Sequence, residues 1–456
     1  MSNTPTTEDY LGEIPPDRII GSECEYNIQV VEGSGLSQYD YIKPEAIAAA
    51  GYASIHGFLD NGFHMYVDVG HLEIDTPECL GPRQAAIADC AGILLLGGIV
   101  EASTHPHAGV HRHTGTVIGD SEMTSGYHEN YMFPRDLARS SLLDTVMASH
   151  LTSRMWAGDG GLKHGFELSQ KVDGIGGPAI TRRVERRTEH GYKPMAMIPP
   201  ASDDSDTIGD SQWARLEVRF GDAGLSPTAR YLCFAATSLV LRLIEHPDLV
   251  DIEELRGLSF TTPALTAKAF SKDLSFRELA QTDNGSLITA VNYQEVLAQA
   301  AMDLADKIDL PEDEVAAIKL WLTVCDELKK SDLENGEYGS LIRLLDFAPR
   351  HHYLTRHFPT GLSSRNNDAV KRNLLWDRVL PSGVGTAYWA ATGSEYIGND
   401  EPEAFLHQPP ANRAQRRGEL IERLQNRIRW VNWSGLETSQ GQVIDLRDPY
   451  ATEEQE

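Results

Sequence analysis

Hydrophobic and polar positions alternate with period two in three segments near the start of the chain: Arg18 to Val31, "GFHMYVDVG" (Gly62 to Gly70) and "HLEIDTPE" (His71 to Glu78). Successive side chains of an extended strand point to opposite faces, so each segment predicts a strand whose polar residues share one side. In "RIIGSECEY" that places Glu23 and Glu25 on one face and Cys24 on the other. His64, Tyr66 and Asp68 share a face in the second segment. In the third, Glu73 turns a carboxylate outward, and a little further on Thr76 and Glu78 share a face. A fourth strand is predicted in "WARLEVRF" (Trp213 to Phe220), with Leu216, Val218 and Phe220 on one side and Arg215, Glu217 and Arg219 on the other.

Elsewhere the apolar spacing changes to that of a helix. It predicts a long helix from about Pro82 to Ser103. A buried one is predicted in "SPTARYLCFAATSLVLRLIEH", where Ser226 and Pro227 form a cap and first turn. Helical patterns also cover Tyr293 to Leu345, Asp368 to Trp376 and Ala411 to Ile428, the last followed by short strands in "RIRWVNW" and "GQVIDLRD". The stretch "STHPHAGVHRHTG" reads as a loop, Ala157 to Gly177 as glycine-rich and irregular, and "TRRVERRTEHGYK" as a basic run before the acidic loop "PPASDDSDTIGD". Residues 1–16 read as a flexible tail, 17–380 as a main domain and 381–456 as a small C-terminal domain.

Composition narrows the class. With 456 residues, 41% hydrophobic and 23% charged, the chain fits a soluble globular protein with a sizeable core. The longest apolar stretch, Ala91 to Val100, is too short to span a bilayer and predicts a core helix. The polar, acidic N-terminus has neither the basic nor the apolar region of a signal peptide, so a cytoplasmic protein is expected. Five scattered cysteines without a CxxC pair predict reduced, buried thiols. A formal charge of −27 argues against nucleic acid as a partner and suits one that carries lysines or another amine.

The carboxylates supply the candidate chemistry. An isolated ExE also suits a wet edge strand. If the strands are neighbours, however, Glu23, Glu25, Asp68, Glu73 and Glu217 crowd one surface with negative charge that only cations would steady. Hard oxygen ligands favour Mg²⁺ or Mn²⁺ over zinc, and magnesium held by few carboxylates keeps positions open for substrate phosphates. A nucleotide is the natural companion, with Arg215 and Arg219 placed to neutralise phosphate.

Other features carry less. His105, His107, His111 and His113 match no zinc spacing and fit a polar loop. The glycines between 158 and 177 match no phosphate-cradling pattern. Arg182, Arg183, Arg186 and Arg187 suit either an acidic peptide or solvent. Arg413, Arg416 and Arg417 suit either a structural role or the nucleotide, and His128 and Glu129 either core packing or catalysis.

The order of segments is more specific than any one of them. "RIIGSECEY", "NGFHMYVDVGHLEIDTPEC", "SGYHENY", "GFELSQK", "RLEVRFGD", "QPPANRAQRRGE" and "RWVNW" together resemble the family of the ligase that attaches the prokaryotic ubiquitin-like protein Pup to lysines, and of its sister, the Pup deamidase/depupylase. The likeness runs from about Arg18 to Tyr450. It implies an α+β, glutamine-synthetase-like fold: a curved, mostly antiparallel sheet cradling ATP and Mg²⁺, backed by helices, with a small C-terminal domain. It also implies metal ligation by Glu23, Glu25, Tyr66 and Glu73, a catalytic Asp68, and nucleotide contacts from Thr76 and Trp430.

Among the departures from the family, His64, kept as a candidate nucleotide contact, stands where it has arginine, and Glu217, kept as a candidate metal ligand, where it has histidine; "HRHTGTVIGD" and "RRTEHGYKP" also differ. The implied activity is ATP-dependent activation of a glutamyl carboxylate as an acyl phosphate, followed by attack of an amine such as lysine. The acyl donor would be a Pup-like protein, another peptide or a small carboxylic acid. An amide hydrolase with bound nucleotide as cofactor and a non-catalytic ATP-binding relative are the alternatives. The short connection from Tyr26 to Gly62 is ligase-like, whereas "HGFELSQK" is closer to the depupylase form.

Overall fold

The computed structural model describes residues 17–452 except 69, 113–114, 119–120, 163–164, 170 and 175–212. The N-terminal tail, His113, the arginines of the basic run and the acidic loop lie outside the described residues.

The chain opens on a twelve-residue strand, β1 (Ile19–Val30), and a hairpin of β2 (His64–Asp68) and β3 (His71–Asp75). Helix α1 (Gly81–Ala102) follows, with Pro82 in its first turn, then β4 (His107–His111), β5 (Tyr127–Pro134) and β6 (Trp213–Val218). Every pairing in the sheet is antiparallel, in the order β6–β5–β1–β3–β2, extended by the two-residue strands Phe58–Leu59 and Ser54–Ile55. The far half of β1 pairs with β4, so part of the expected histidine loop is a strand. One buried side chain, Val110, and a free edge on β1 suffice to draw it into the sheet.

Alternation builds the core. Cys24, Tyr26, Leu72, Ile74, Tyr131, Leu216 and Val218 all turn to one face and are buried. Against that face lie α1 and α2 (Pro227–Glu245), which also pack on each other. The Ser226 hydroxyl caps α2 by accepting from the Ala229 N–H, and every residue from Thr228 to Glu245 is buried. By length and composition α1 is apolar enough to cross a membrane, but most of its apolar window is buried inside the protein, as in a core helix.

Beyond them come α3 (Ala290–Ala305), α4 (Glu312–Lys330), α5 (Asn367–Asp377), the short β7 (Arg378–Leu380) on β4, and α6 (Val384–Thr392). The last elements are α7 (Arg413–Leu424) and a three-stranded sheet of β8 (Ile428–Val431), β9 (Gly435–Thr438) and β10 (Val443–Asp445). The middle strand falls in a stretch without strand-like alternation, so only the two outer ones are legible in advance. Leu420, Ile421, Ile428, Val431, Leu436 and Leu446 form a second apolar cluster with Phe58, whereas Trp389, Phe405 and Leu406 belong to the main core.

Candidate functional site

Register sets the polar face. Directly opposed residues of an antiparallel pair share a side. Glu23 on β1 lies opposite Asp75 of β3 and His128 of β5, and Glu25 lies opposite Glu73. Across β2, Tyr66 opposes Glu73, His64 opposes Asp75, and Asp68 opposes His71. On the other flank Glu217 of β6 opposes Asn130 of β5. The assumed neighbourhood of the carboxylate strands is therefore real, with β1 at its centre.

These side chains converge in two groups. In the first, ligand atoms of Glu23, His128 and Glu217 lie within 4.8 Å of one another; in the second, those of Glu25, Asp68 and Glu73 do. The first group is steadied by the protein. His128 Nδ1 lies 2.9 Å from Glu23 and 3.7 Å from Glu217, and Asn130 and Arg215 donate to Glu23 at 3.1 and 3.2 Å. Arg219 bonds Glu217. Burial works against ionisation of Glu23, yet His128, Arg215 and Asn130 bring its carboxyl down to about 2.

The second group has fewer partners. Glu25 accepts from the Gly126 N–H at 2.7 Å and lies 2.9 Å from His71 Nδ1, and these bonds lower its pKa against the effect of burial. A Cβ on Gly126 would stand 2.8 Å from the Glu25 carboxylate, so glycine is what lets that backbone N–H approach. Glu73 is 3% exposed, and desolvation, followed by repulsion from Asp75 and Glu23, pushes its carboxyl up to about 9. Burial and the same acids raise the Tyr66 phenol. Burial and neighbouring acids thus favour the neutral form of Glu73 unless a cation enters, and the cluster of oxygen ligands fits a divalent metal.

Beside the first group opens a cavity of about 120 Å³ lined by Gly21, Ser22, Glu23, Asp75, Thr76, Asn130, Met132, Arg215, Arg413, Trp433 and Pro449, among others. The Thr76 hydroxyl accepts from the Ser22 N–H at 2.8 Å, which fixes it at the cavity wall. His64 lies over Tyr66 with ring centres 5.0 Å apart, and burial and then Arg417 lower its pKa to about 4.

The C-terminal elements close the far side. Glu78 turns away from the metal groups and is buried in a fork of Arg413 and Arg417, at 2.6 and 2.7 Å. Burial raises its pKa, but the two guanidiniums outweigh this and hold it at about 2. Arg417 in turn lies 5.0 and 4.9 Å from the centres of the Phe58 and Trp433 rings. Arg413 and Arg417 are thus structural in their bonding, and Arg413 also faces the cavity.

Trp430, expected at the nucleotide, is not among the residues that line this cavity; its indole N–H bonds Glu437, and its ring packs on Gly435. The chain leaves β8 at Val431, and the turn beyond it carries Trp433 inward instead. Asp75, His71, Asn130 and Trp433 were not legible as site residues. Of these, only Asp75 carried a local signal, the same alternation that marks Glu73. His128 faces the site, while Glu129 points into the core and takes a bidentate bond from Arg154 at 2.8 and 3.0 Å. His105 and His107 pack against Tyr41, and among the described residues these histidines join no group of potential metal ligands.

Residues 18–437 match the family model described as Pup-ligase protein. The chain belongs to that family. Curated relatives include a Pup–protein ligase of Acidimicrobium ferrooxidans, 26% identical over 96% of this chain and 97% of that one. A Pup deamidase/depupylase of Mycolicibacterium smegmatis is 27% identical over 91% of this chain and 81% of its own length. Among solved structures, the complex of Pup with its ligase PafA superposes with a TM-score of 0.77 at 20% identity, covering 99% of this chain and 92% of that one. PafA in complex with ADP gives 0.72 at 19% identity, covering 94% of each. The expected fold, an antiparallel sheet backed by helices, is the one these proteins share.

Proposed function

We propose that the protein is an ATP- and Mg²⁺-dependent carboxylate–amine ligase that joins a glutamyl carboxylate, as borne by a Pup-like protein, to a lysine amine. The observation that carries this reading is the pair of three-ligand groups, set on one sheet face beside a partly open cavity. Glu23, His128 and Glu217 would hold one cation, and Glu25 and Glu73 of the second group another, with Tyr66 beside Glu73 and Asp68 left for the chemistry. When bound, the cations supply charge neutralisation for a phosphoryl group in transfer.

Thr76, Arg413 and Trp433 are placed to seat the base end of the nucleotide, and Arg215 to reach its phosphates. A carboxylate oxygen of the donor attacks the γ-phosphorus and ADP leaves. The amine nitrogen then attacks the acyl carbon and phosphate leaves. Asp68, half-buried at the end of β2, would take the ammonium proton, because an amine is no nucleophile until it is deprotonated. Chemistry that consumes ATP in this way belongs in the cytoplasm.

The test is ADP release by the purified chain with Mg-ATP, a Pup-type peptide ending in glutamate, and lysine. Stimulated release with the mass of a joined product supports the ligase. Amide turnover without net ATP consumption would replace it with the depupylase reading, which the 27% identical relative favours. The short connection from Tyr26 to Gly62 favours the ligase.

A further inference from the structure

Asp75 is a cavity-lining carboxylate that the chemistry above does not use. It is 6% exposed. Its Oδ2 lies 2.8 Å from His64 Nδ1, while its Oδ1 is buried with no hydrogen-bond partner among the described residues. The imidazole that orients it is itself fixed, lying between the rings of Phe58 at 4.3 Å and Tyr66 at 5.0 Å, with the edge of Trp433 5.8 Å away. A buried acceptor held this firmly and left unpaired is costly unless something entering the cavity donates to it.

Position selects the donor. Asp75 stands between Thr76, next to it in the chain and also on the cavity wall, and Glu23, opposite it in the sheet and part of the first ligand group. Trp433 lies on the side of His64, and the carboxylate groups lie on the side of Glu23. A nucleotide bound with its base at Trp433 and its phosphates at the carboxylate groups must place its sugar between them. A carboxylate would repel phosphate but accepts readily from a hydroxyl.

We infer that Asp75 Oδ1 accepts a hydrogen bond from a ribose hydroxyl of the bound nucleotide, with His64 as the positioning residue that aims it. This rests on the nucleotide reading of the site, and it makes Asp75 a determinant of ribose over deoxyribose. Acidic side chains serve this purpose in other nucleotide-binding folds.

The experiment is calorimetric titration of the full chain, in excess Mg²⁺, with ATP, 2′-deoxy-ATP and 3′-deoxy-ATP. The wild type binds ATP about tenfold more tightly than at least one deoxy analogue, as loss of a hydrogen bond to a buried acceptor implies. Asp75→Ala brings the three within about twofold of one another, whatever the removal of a negative charge does to affinity as a whole. His64→Ala narrows the ratio part-way. The wild-type ratio alone is decisive even if a variant fails to fold: discrimination below about twofold overturns the inference. So does an Asp75→Ala protein that keeps the wild-type ratio. If Asp75→Ala instead weakens all three ligands alike and raises the Mg²⁺ requirement, the donor is a metal-bound water and the ribose assignment falls. A wild type that binds no adenine nucleotide overturns the nucleotide reading itself, and this inference with it.

Discussion

The two ligand groups stand on one face of one sheet, yet the protein treats them differently. Around Glu23, His128, Arg215 and Asn130 supply positive charge and donors, and its carboxyl is held at about 2. Around Glu73 the neighbours are acids, and its carboxyl rises to about 9. The first group is internally compensated; the second is complete only when a cation enters. The same residue type in the same strand environment thus acquires opposite electrostatics from what stands across the sheet.

The largest effect is expected at Asp68, a half-buried member of the second group. Asp68→Asn should cut product formation by about 10²–10⁴-fold while leaving nucleotide binding in place, measured by ADP release and by titration with ATP. Retention of full turnover would remove Asp68 from the chemistry.

Next, His128→Ala strips the first group of one ligand and of a hydrogen-bond partner of Glu23. We expect the Mg²⁺ concentration for half-maximal activity to rise about tenfold, by analogy with losses of supporting groups at metal sites. An unchanged requirement would confine the metal to the second group.

The contrast also has a pH signature. An acid whose folded pKa is raised stabilises the fold below its unfolded value, near 4.5, and that contribution is lost as pH climbs through the folded value, about 9. Metal-free protein should therefore lose stability between pH 5 and 9. Saturating Mg²⁺ should raise Tm by about 5 °C at pH 8 and by clearly less at pH 5. Glu73→Gln should flatten both trends in a thermal-melt series; an unaltered pH slope in that variant would assign the loss to other groups.

The smallest effect concerns the cavity beside the first group. Trp433→Ala should weaken ATP binding by about tenfold, as expected for loss of an aromatic wall, and Trp430→Ala by less than about twofold. The reverse ranking would return the nucleotide contact to the hairpin.

Most of the elements were legible because their causes are local. Alternation over a few residues placed Glu23, Glu25, Tyr66, Asp68, Glu73 and Glu217 on polar faces, and Ser226 with Pro227 marked where α2 begins. The order of motifs pointed to the family. Glu78 shows where this fails: it carries the same alternation signal as Glu73, but Arg413 and Arg417, more than three hundred residues later, bury it in an ion-paired fork.

Taken alone, the sequence determined which side chains each strand presents together, because a two-residue period is written into the backbone of any strand. Only the tertiary structure decided which strands are neighbours. The order β6–β5–β1–β3–β2 is not the order of the chain, and from it follow the join of His128 to Glu23 and Glu217, the crowding of Glu73 by other acids and the place of Asp75 between His64 and Glu23. Those outcomes depend on pairings and burial between residues far apart in sequence, where desolvation and neighbouring charge, not residue type, set what a carboxylate becomes.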